Sequence, residues 1–272
     1  MELANAQNHA SPHHSRRSWR AGLVLASLAL ALVLWSLLVR LGGFPAYFLP
    51  SPGQVWTRLL QALADGSLLR NTGVTLGEVL AGLALGAGAA TALGYTLAKS
   101  LPLERLLSPF IVASQAVPVV AIAPLLIIWF PGLLSKIFIC ALTVFFPVLV
   151  NTVVGIRSVP EELRDLMRSL QASRWQTLVK LEMPAALPVF LGGMRIGATL
   201  AVIGAVVGEF VGSDRGLGFL INVGRGQYDT ALVFVAVFTL VALAILLYGL
   251  VSSLEARLLS WREVPEDPVM KG

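Results

Sequence analysis

The sequence predicts an all-α polytopic membrane protein with six transmembrane helices. Charge poverty is the first reason: charged residues make up 13% of the 272-residue chain and hydrophobic residues 56%, whereas a soluble domain carries roughly 25% charged residues. Mean hydropathy is +0.79. The second reason is spacing, because uncharged runs of 19 to 30 residues recur along the chain, and about 20 apolar residues cross a bilayer core of about 30 Å. This composition excludes a disordered chain, a coiled coil and a nucleic-acid binder. Cys140 is the single cysteine, which excludes a disulfide framework and a cysteine-based zinc site. No cofactor or metal is expected.

In chain order, residues 1–20 are expected to form a cytoplasmic tail, with His9, His13 and His14 in a disordered polar stretch. Ser15-Arg16-Arg17 resembles the start of a twin-arginine export signal, and a basic stretch before an apolar run also fits a secretory signal. The run Ala21–Val39 is 19 residues, longer than the roughly 7–15 residue core of such signals, so it reads as an uncleaved first span. Residues 40–71 form an extracytoplasmic segment, and residues 72–254 a five-helix core. Its second span covers Val79–Ala98, extended back past Glu78 to about Thr72. The third run, Leu106–Ser135, is 30 residues and holds Pro109, Pro118, Pro124 and Pro131. It is either one kinked span with an interfacial extension or a broken one. The fourth span is Ile137–Ile156. The fifth, Pro188–Val211, contains Arg195 and Glu209, and the sixth is Thr230–Leu254, before a cytoplasmic tail at 255–272.

Basic residues set the orientation. With a cytoplasmic N-terminus, the inner side holds Arg16, Arg17, Arg20, Lys99, Arg105, Arg157, Arg164, Arg168, Arg174, Lys180, Arg257, Arg262 and Lys271. The outer side holds only Arg40, Arg58, Arg70, Lys136, Arg215 and Arg225. The positive-inside rule then places both termini of this multi-pass protein in the cytoplasm. The net charge of +5 is mostly a topology signal.

No GxxxxGK[ST] phosphate loop, HExxH or GxSxG is present, and no histidine lies in or beside a span, so the chain is not expected to be an enzyme. Gly82, Gly86, Ala90 and Gly94 recur every four residues, as do Gly204, Gly208 and Gly212 after Gly193 and Gly197. This spacing lets helices approach closely, within the chain or between two copies. An ionisable residue within a span usually faces an interior or a water-filled cavity. Glu209 is the leading pathway candidate, with Gln115 beside the Pro118 kink and Asn151 in the fourth span. Glu209 also suits the outer headgroup level, and Gln115 and Asn151 suit interhelical hydrogen bonds. Glu78 and Arg195 lie near span ends, within reach of interfacial water. Arg195 precedes Glu209 by 14 residues, about 21 Å of helix, and cannot neutralise it. An unpaired carboxylate lining a narrow pathway would repel an anionic ligand and favour a neutral or cationic one.

Residues 157–187 read as a helix-turn-helix hairpin. Ser158-x-x-Glu161 fits a capping box with Pro160 in the first turn, and Leu163, Leu166, Met167 and Leu170 then fall on one face of a helix over Glu161–Leu170. Gln171-Ala172 makes the turn. Ser173-x-x-Gln176 is a second capping box, opening a helix with a buried Trp175 that ends before Pro184. The hairpin suits either a membrane-surface element or a docking element for a cytoplasmic partner.

The docking reading agrees with a family. The segment resembles the EAA motif of binding-protein-dependent ABC importer permeases, in which Glu-Ala-Ala and Gly precede Ile-x-Leu-Pro. Here it stands as Asp165-Leu166-Met167, then Gln171, then Leu181-x-Met183-Pro184. Spacing is kept while identities drift, and Gln171 occupies the glycine position, where positive φ costs a non-glycine residue. Leu49-Pro50-Ser51-Pro52 is similar to permeases of the nitrate, sulfonate and taurine group. The stretches at 117–124, 145–151 and 202–209 resemble the riboflavin and hydroxymethylpyrimidine branch. The resemblance implies the plasma (inner) membrane as the location, a type I ABC importer permease fold, two copies forming the pathway, cytoplasmic ABC ATPase subunits beneath and an extracytoplasmic substrate-binding protein. By the same resemblance Glu161, Arg164, Asp165, Leu166, Met167, Arg168, Leu170, Gln171, Trp175 and Pro184 carry the ATPase coupling. The ligand is expected to be riboflavin or a thiamine-precursor pyrimidine, with a sulfonate, taurine or nitrate as the alternative. A self-contained transporter or channel, and an assembly protein that uses the hairpin only for docking, are the other classes open to this sequence.

Overall fold

The computed structural model describes residues 13–261, whose regular elements are all helices. Helix α1 spans His13–Gly42. It starts earlier than Ala21, so His13, His14 and the paired arginines stand on its first turns rather than in a disordered tail; His9 lies outside the described residues. A short helix α2 (Pro52–Ala64) follows, opened by a capping box in which the Ser51 N–H donates to Gln54 Oε1 at 2.8 Å. Then come α3 (Ser67–Lys99), α4 (Leu101–Gln115), α5 (Val119–Trp129) and α6 (Leu133–Arg157). The hairpin holds α7 (Glu161–Ser169) and α8 (Arg174–Thr177), and α9 (Met183–Gly212), α10 (Leu217–Gly226) and α11 (Thr230–Leu258) complete the chain.

Among the described residues, four units are long and apolar enough to cross a bilayer: α3, α6, the continuous stretch Arg174–Gly212, and α11. The pair α4–α5 makes a fifth if taken as one span, bent by 97°. The long proline-containing run is therefore broken. The break falls at Ala116-Val117-Pro118, because Pro118 has no N–H for a helical bond and disfavours helical geometry in the residue before it. In α1 the apolar segment among the described residues is the shorter Ala26–Gly42. Trp35 holds α1 to α11, stacking on Phe234 at 5.3 Å and meeting Phe238 edge-on at 6.1 Å.

Helix α6 is enclosed between α3 and α9, and both small-residue stripes face it except at Gly212, which lies on Ile127 of α5. On α3, Gly82 lies on Cys140, Gly86 on the backbone of Ala141, and Gly94 on Thr152 and Leu149. On α9, Gly193 lies on Asn151, Gly197 on Val144 and Val148, Gly204 on Cys140 and Ile139, and Gly208 on Lys136 and Ile139. The four-residue spacing thus serves packing within the chain. In lipid, helices gain nothing by excluding water from one another, so this close van der Waals fit carries the association. Cys140, Val144 and Val148 in the middle of α6 are fully buried.

A prediction follows from the asymmetry between two neighbouring glycines. A Cβ at Gly86 would overlap the Ala141 backbone, whereas at Gly88 it meets nothing within 4 Å. Gly86→Ala should destabilise the purified protein by about 1–3 kcal/mol, the usual cost of overpacking, while Gly88→Ala should leave the melting temperature unchanged or raise it. Equal melting of the two variants would show that α3 does not depend on its approach to α6.

Candidate functional site

Two features are built with care at opposite ends of the bundle: the hairpin, and a buried polar node around Glu209. In the hairpin, α7 has no side-chain N-cap, and Pro160 stands at its start. The expected Ser158 capping box does not form, because Ser158 closes α6 and its hydroxyl donates to the Gly155 carbonyl at 2.8 Å. The turn after α7 adopts the left-handed geometry expected of the glycine position, with Gln171 at φ 52°. The Gln171 N–H donates to Arg168 O and the Ala172 N–H to Met167 O, each at 2.9 Å. This pair of bonds is the Schellman closure that satisfies the last carbonyls of α7. The second capping box does form, with the Ser173 N–H donating to Gln176 Oε1 at 2.8 Å and the Gln176 N–H to Ser173 Oγ at 3.2 Å.

The second hairpin helix does not end before Pro184. It runs through a π-helical turn at Leu178–Glu182 directly into α9. The Met183 N–H reaches back to Leu178 O, and the wider turn absorbs the donor that Pro184 lacks. The result is a single 39-residue rod from the hairpin to Gly212. One ion pair ties its base to α3, where Lys99 at the end of that helix pairs with Glu182; a second joins α6 to α4, where Arg157 grips Glu104 at 2.8 and 2.6 Å. Arg164 donates to Ile156 O at 2.6 Å. The outer face of the hairpin is left bare, with Leu163, Leu166 and Leu170 exposed and Met167 half-buried. Trp175 is exposed at 70% rather than buried. Glu161, Asp165 and Arg168 rim this face, the last two paired at 2.8 Å.

At the far end, Glu209 is fully buried. Its carboxylate accepts from Thr75 Oγ1 at 2.6 Å and from the Gly218 N–H at 2.5 Å. Thr75 Oγ1 in turn accepts from the Leu217 N–H at 2.8 Å, and Asn71 Oδ1 from the Gly216 N–H at 2.7 Å. Three consecutive backbone donors at the start of α10 are thus met by side chains of α3 and α9, an arrangement that satisfies otherwise orphaned amides and suits the positive end of a helix. Gly216, at φ 105°, is required there, because a Cβ would land on the Glu209 carboxylate. Beside them Lys136 of α6 contacts Glu78 of α3 at 3.3 Å and donates to Ser213 Oγ at 2.6 Å.

Several expectations change accordingly. Glu209 is not an unpaired carboxylate but is buried and hydrogen-bonded, so the repulsion of anionic ligands drawn from it does not hold. Lys136 is part of α6 and buried, not an outer loop charge, and Glu78 is buried rather than at an interface. Sequence reading missed this pair, although a lysine and two glutamates bordering apolar runs were the signal that could have found it. Arg195 pairs with Glu255 at 3.1 Å and lies 5.8 Å over the Tyr248 ring. Gln115 and Pro118 are exposed together at the α4–α5 break. Asn151, half-buried, donates to Pro147 O at 2.8 Å and packs on Gly193. The four expected pathway residues are therefore not assembled into one site within a single copy.

Residues 82–260 match the family of binding-protein-dependent transport system inner membrane components. The chain is 49% identical to the riboflavin transport system permease protein RibX of Chloroflexus aurantiacus, over 90% of this chain and 92% of that one. It is 35% identical to the formylaminopyrimidine transport permease protein ThiX of Halalkalibacterium halodurans, over 91% and 99% of the two chains. Its fold is shared with a chain of the MetNI methionine ABC transporter in an inward-facing conformation, at a TM-score of 0.63 and 19% identity, covering 72% of this chain and 97% of that one.

The node at Glu209 makes its own prediction. Thr75→Val removes the acceptor for the Leu217 N–H and one donor to Glu209, and leaving such a group unsatisfied costs about 1–3 kcal/mol. The variant should melt lower and exchange its amides at 217–221 faster, while Thr75→Ser should behave as wild type. Unchanged exchange in Thr75→Val would mean that these bonds do not hold α10.

Proposed function

The chain belongs to the family of binding-protein-dependent transport system inner membrane components, and from that premise we propose how it works as an ABC importer permease subunit. Two copies form the pathway, both termini face the cytoplasm, cytoplasmic ATPase subunits bind the hairpin, and an extracytoplasmic binding protein delivers the ligand at the far end. The observation that carries this reading is the bare apolar face of α7, held at the base of a rod that reaches the opposite end of the bundle. Leu166, Leu170 and Met167 fill a groove of the ATPase, and Trp175 flanks the contact. Closure of the ATPase pair displaces α7 and with it the rod, and Glu209 transmits the displacement to α10. ATP shifts this equilibrium only because the closed ATPase pair fits one arrangement of the hairpins better than the other. The proposed boundaries relative to the membrane are cytoplasmic ends at 1–20 and 255–272, a first span at 21–39 within the longer α1, an outer segment at 40–71, and the core at 72–254 with the coupling hairpin at 157–187.

The ligand is a flavin or a pyrimidine related to thiamine precursors. Likeness to RibX and ThiX along nine-tenths of the chain supports this class. Cells carrying this permease with its ATPase and binding protein should take up labelled riboflavin in an ATP-dependent way, with taurine and nitrate failing to compete. Competition by taurine but not riboflavin would reassign the substrate. Met167→Pro, which costs a helix interior about 3 kcal/mol, should reduce uptake to background while the protein still inserts. Undiminished uptake would remove the coupling role of α7.

A further inference from the structure

We propose that the cleft between the hairpin and the inner ends of α3 and α4 binds the head group of an anionic phospholipid, a phosphodiester that also carries a free hydroxyl, as in phosphatidylglycerol. The cleft measures about 970 Å³, and its wall includes Lys99, Arg164, Arg168, Arg174 and Glu182. Four cations face one carboxylate, and that carboxylate is already engaged by Lys99. Arg174 makes no ion pair among the described residues, and the pair of Arg168 with Asp165 is solvent-exposed and therefore weak. The cleft thus carries a surplus of positive charge with little to occupy it.

Two orphaned atoms specify the ligand more closely. Glu182 is 1% exposed, and its Oε2 has no hydrogen-bond donor. Arg164 Nε is buried without an acceptor. Buried polar atoms are normally paired, and here one unpaired acceptor and one unpaired donor belong to two residues that line the same cleft. A phosphate oxygen meets Arg164, and a hydroxyl on the same head group meets Glu182. A choline head group offers no hydroxyl, so the open acceptor of Glu182 selects against phosphatidylcholine.

The third observation points to a lipid rather than a soluble phosphate. Leu103 lines the cleft, and Leu106 and Phe110, three and seven residues further along α4, share its face. They are 63% and 68% exposed, so an apolar track leads from the cleft along α4 toward the bilayer interior. Basic clefts between transmembrane helices on the cytoplasmic side are suited to anionic lipid head groups. The proposal rests on the orientation in which the hairpin faces the cytoplasm, but not on the ATPase contact.

Native mass spectrometry of the full-length permease alone, in mild detergent, tests it. Added phosphatidylglycerol should be retained at one molecule per chain at concentrations where phosphatidylcholine is not. Arg164→Gln combined with Arg174→Gln should weaken retention tenfold or more. Arg174→Gln alone, at an exposed position that leaves the Arg164 bond to Ile156 intact, should weaken it by a smaller factor without altering the melting temperature. Phe110→Ser should also weaken retention, and glycerol 3-phosphate should compete poorly. The proposal is overturned if the arginine variants retain the lipid as wild type does, if phosphatidylcholine is held equally, or if glycerol 3-phosphate competes on equal terms while Phe110→Ser has no effect. Because the readout needs no ATPase, failure here would leave the coupling role of α7 standing.

Discussion

The close approach of α3 and α9 to α6 is the constraint on which the rest of this structure depends. Glycines at 82, 86 and 94 on one side and at 193, 197, 204 and 208 on the other bring both helices onto the α6 backbone. The same tightness brings Glu78, Lys136 and Glu209, from three helices, into one buried neighbourhood. Charges in such a place persist only when paired or hydrogen-bonded. Glu209 meets this condition by capping the start of α10, and Lys136 by reaching Glu78 and Ser213.

Much of this was legible in the sequence because it is local. Uncharged runs mark α3, α6 and α11, and a run broken only by Arg195 and Glu209 marks α9, since lipid demands length and apolarity within a single segment. The Ser173 capping box and the positive φ at Gln171 were also readable, because each depends on residues within a turn of one another. Where local signals compete, the reading failed. Ser158 could cap α7 or close α6, and it closes α6. Pro184 could end a helix, but a π turn before it lets the rod continue.

The polar node was illegible for a different reason. Lys136 lies 58 residues from Glu78 and 73 from Glu209, and their meeting depends on the rotational register of three helices. Register is set by which residues face α6, and no single segment states it. Trp175 shows the converse limit. An aromatic residue on a helix in an apolar protein suggests burial, yet the isolated chain leaves it exposed, as a surface awaiting a partner would be.

The central claim is that each copy moves as a stiff unit, with hairpin displacement carried along the 39-residue rod to α10. The most direct test places two spin labels on one copy, at Ser169→Cys on α7 and Arg225→Cys on α10, both exposed. Cys140, the only native thiol, is buried and escapes labelling. With an unlabelled second copy in the assembled importer, the distance within the labelled copy should stay constant when ATP is added. The distance between hairpins of separately labelled copies should change under the same conditions. A change of several ångströms within one copy would contradict the account, since the hairpin would then move independently of the helices it is held to drive.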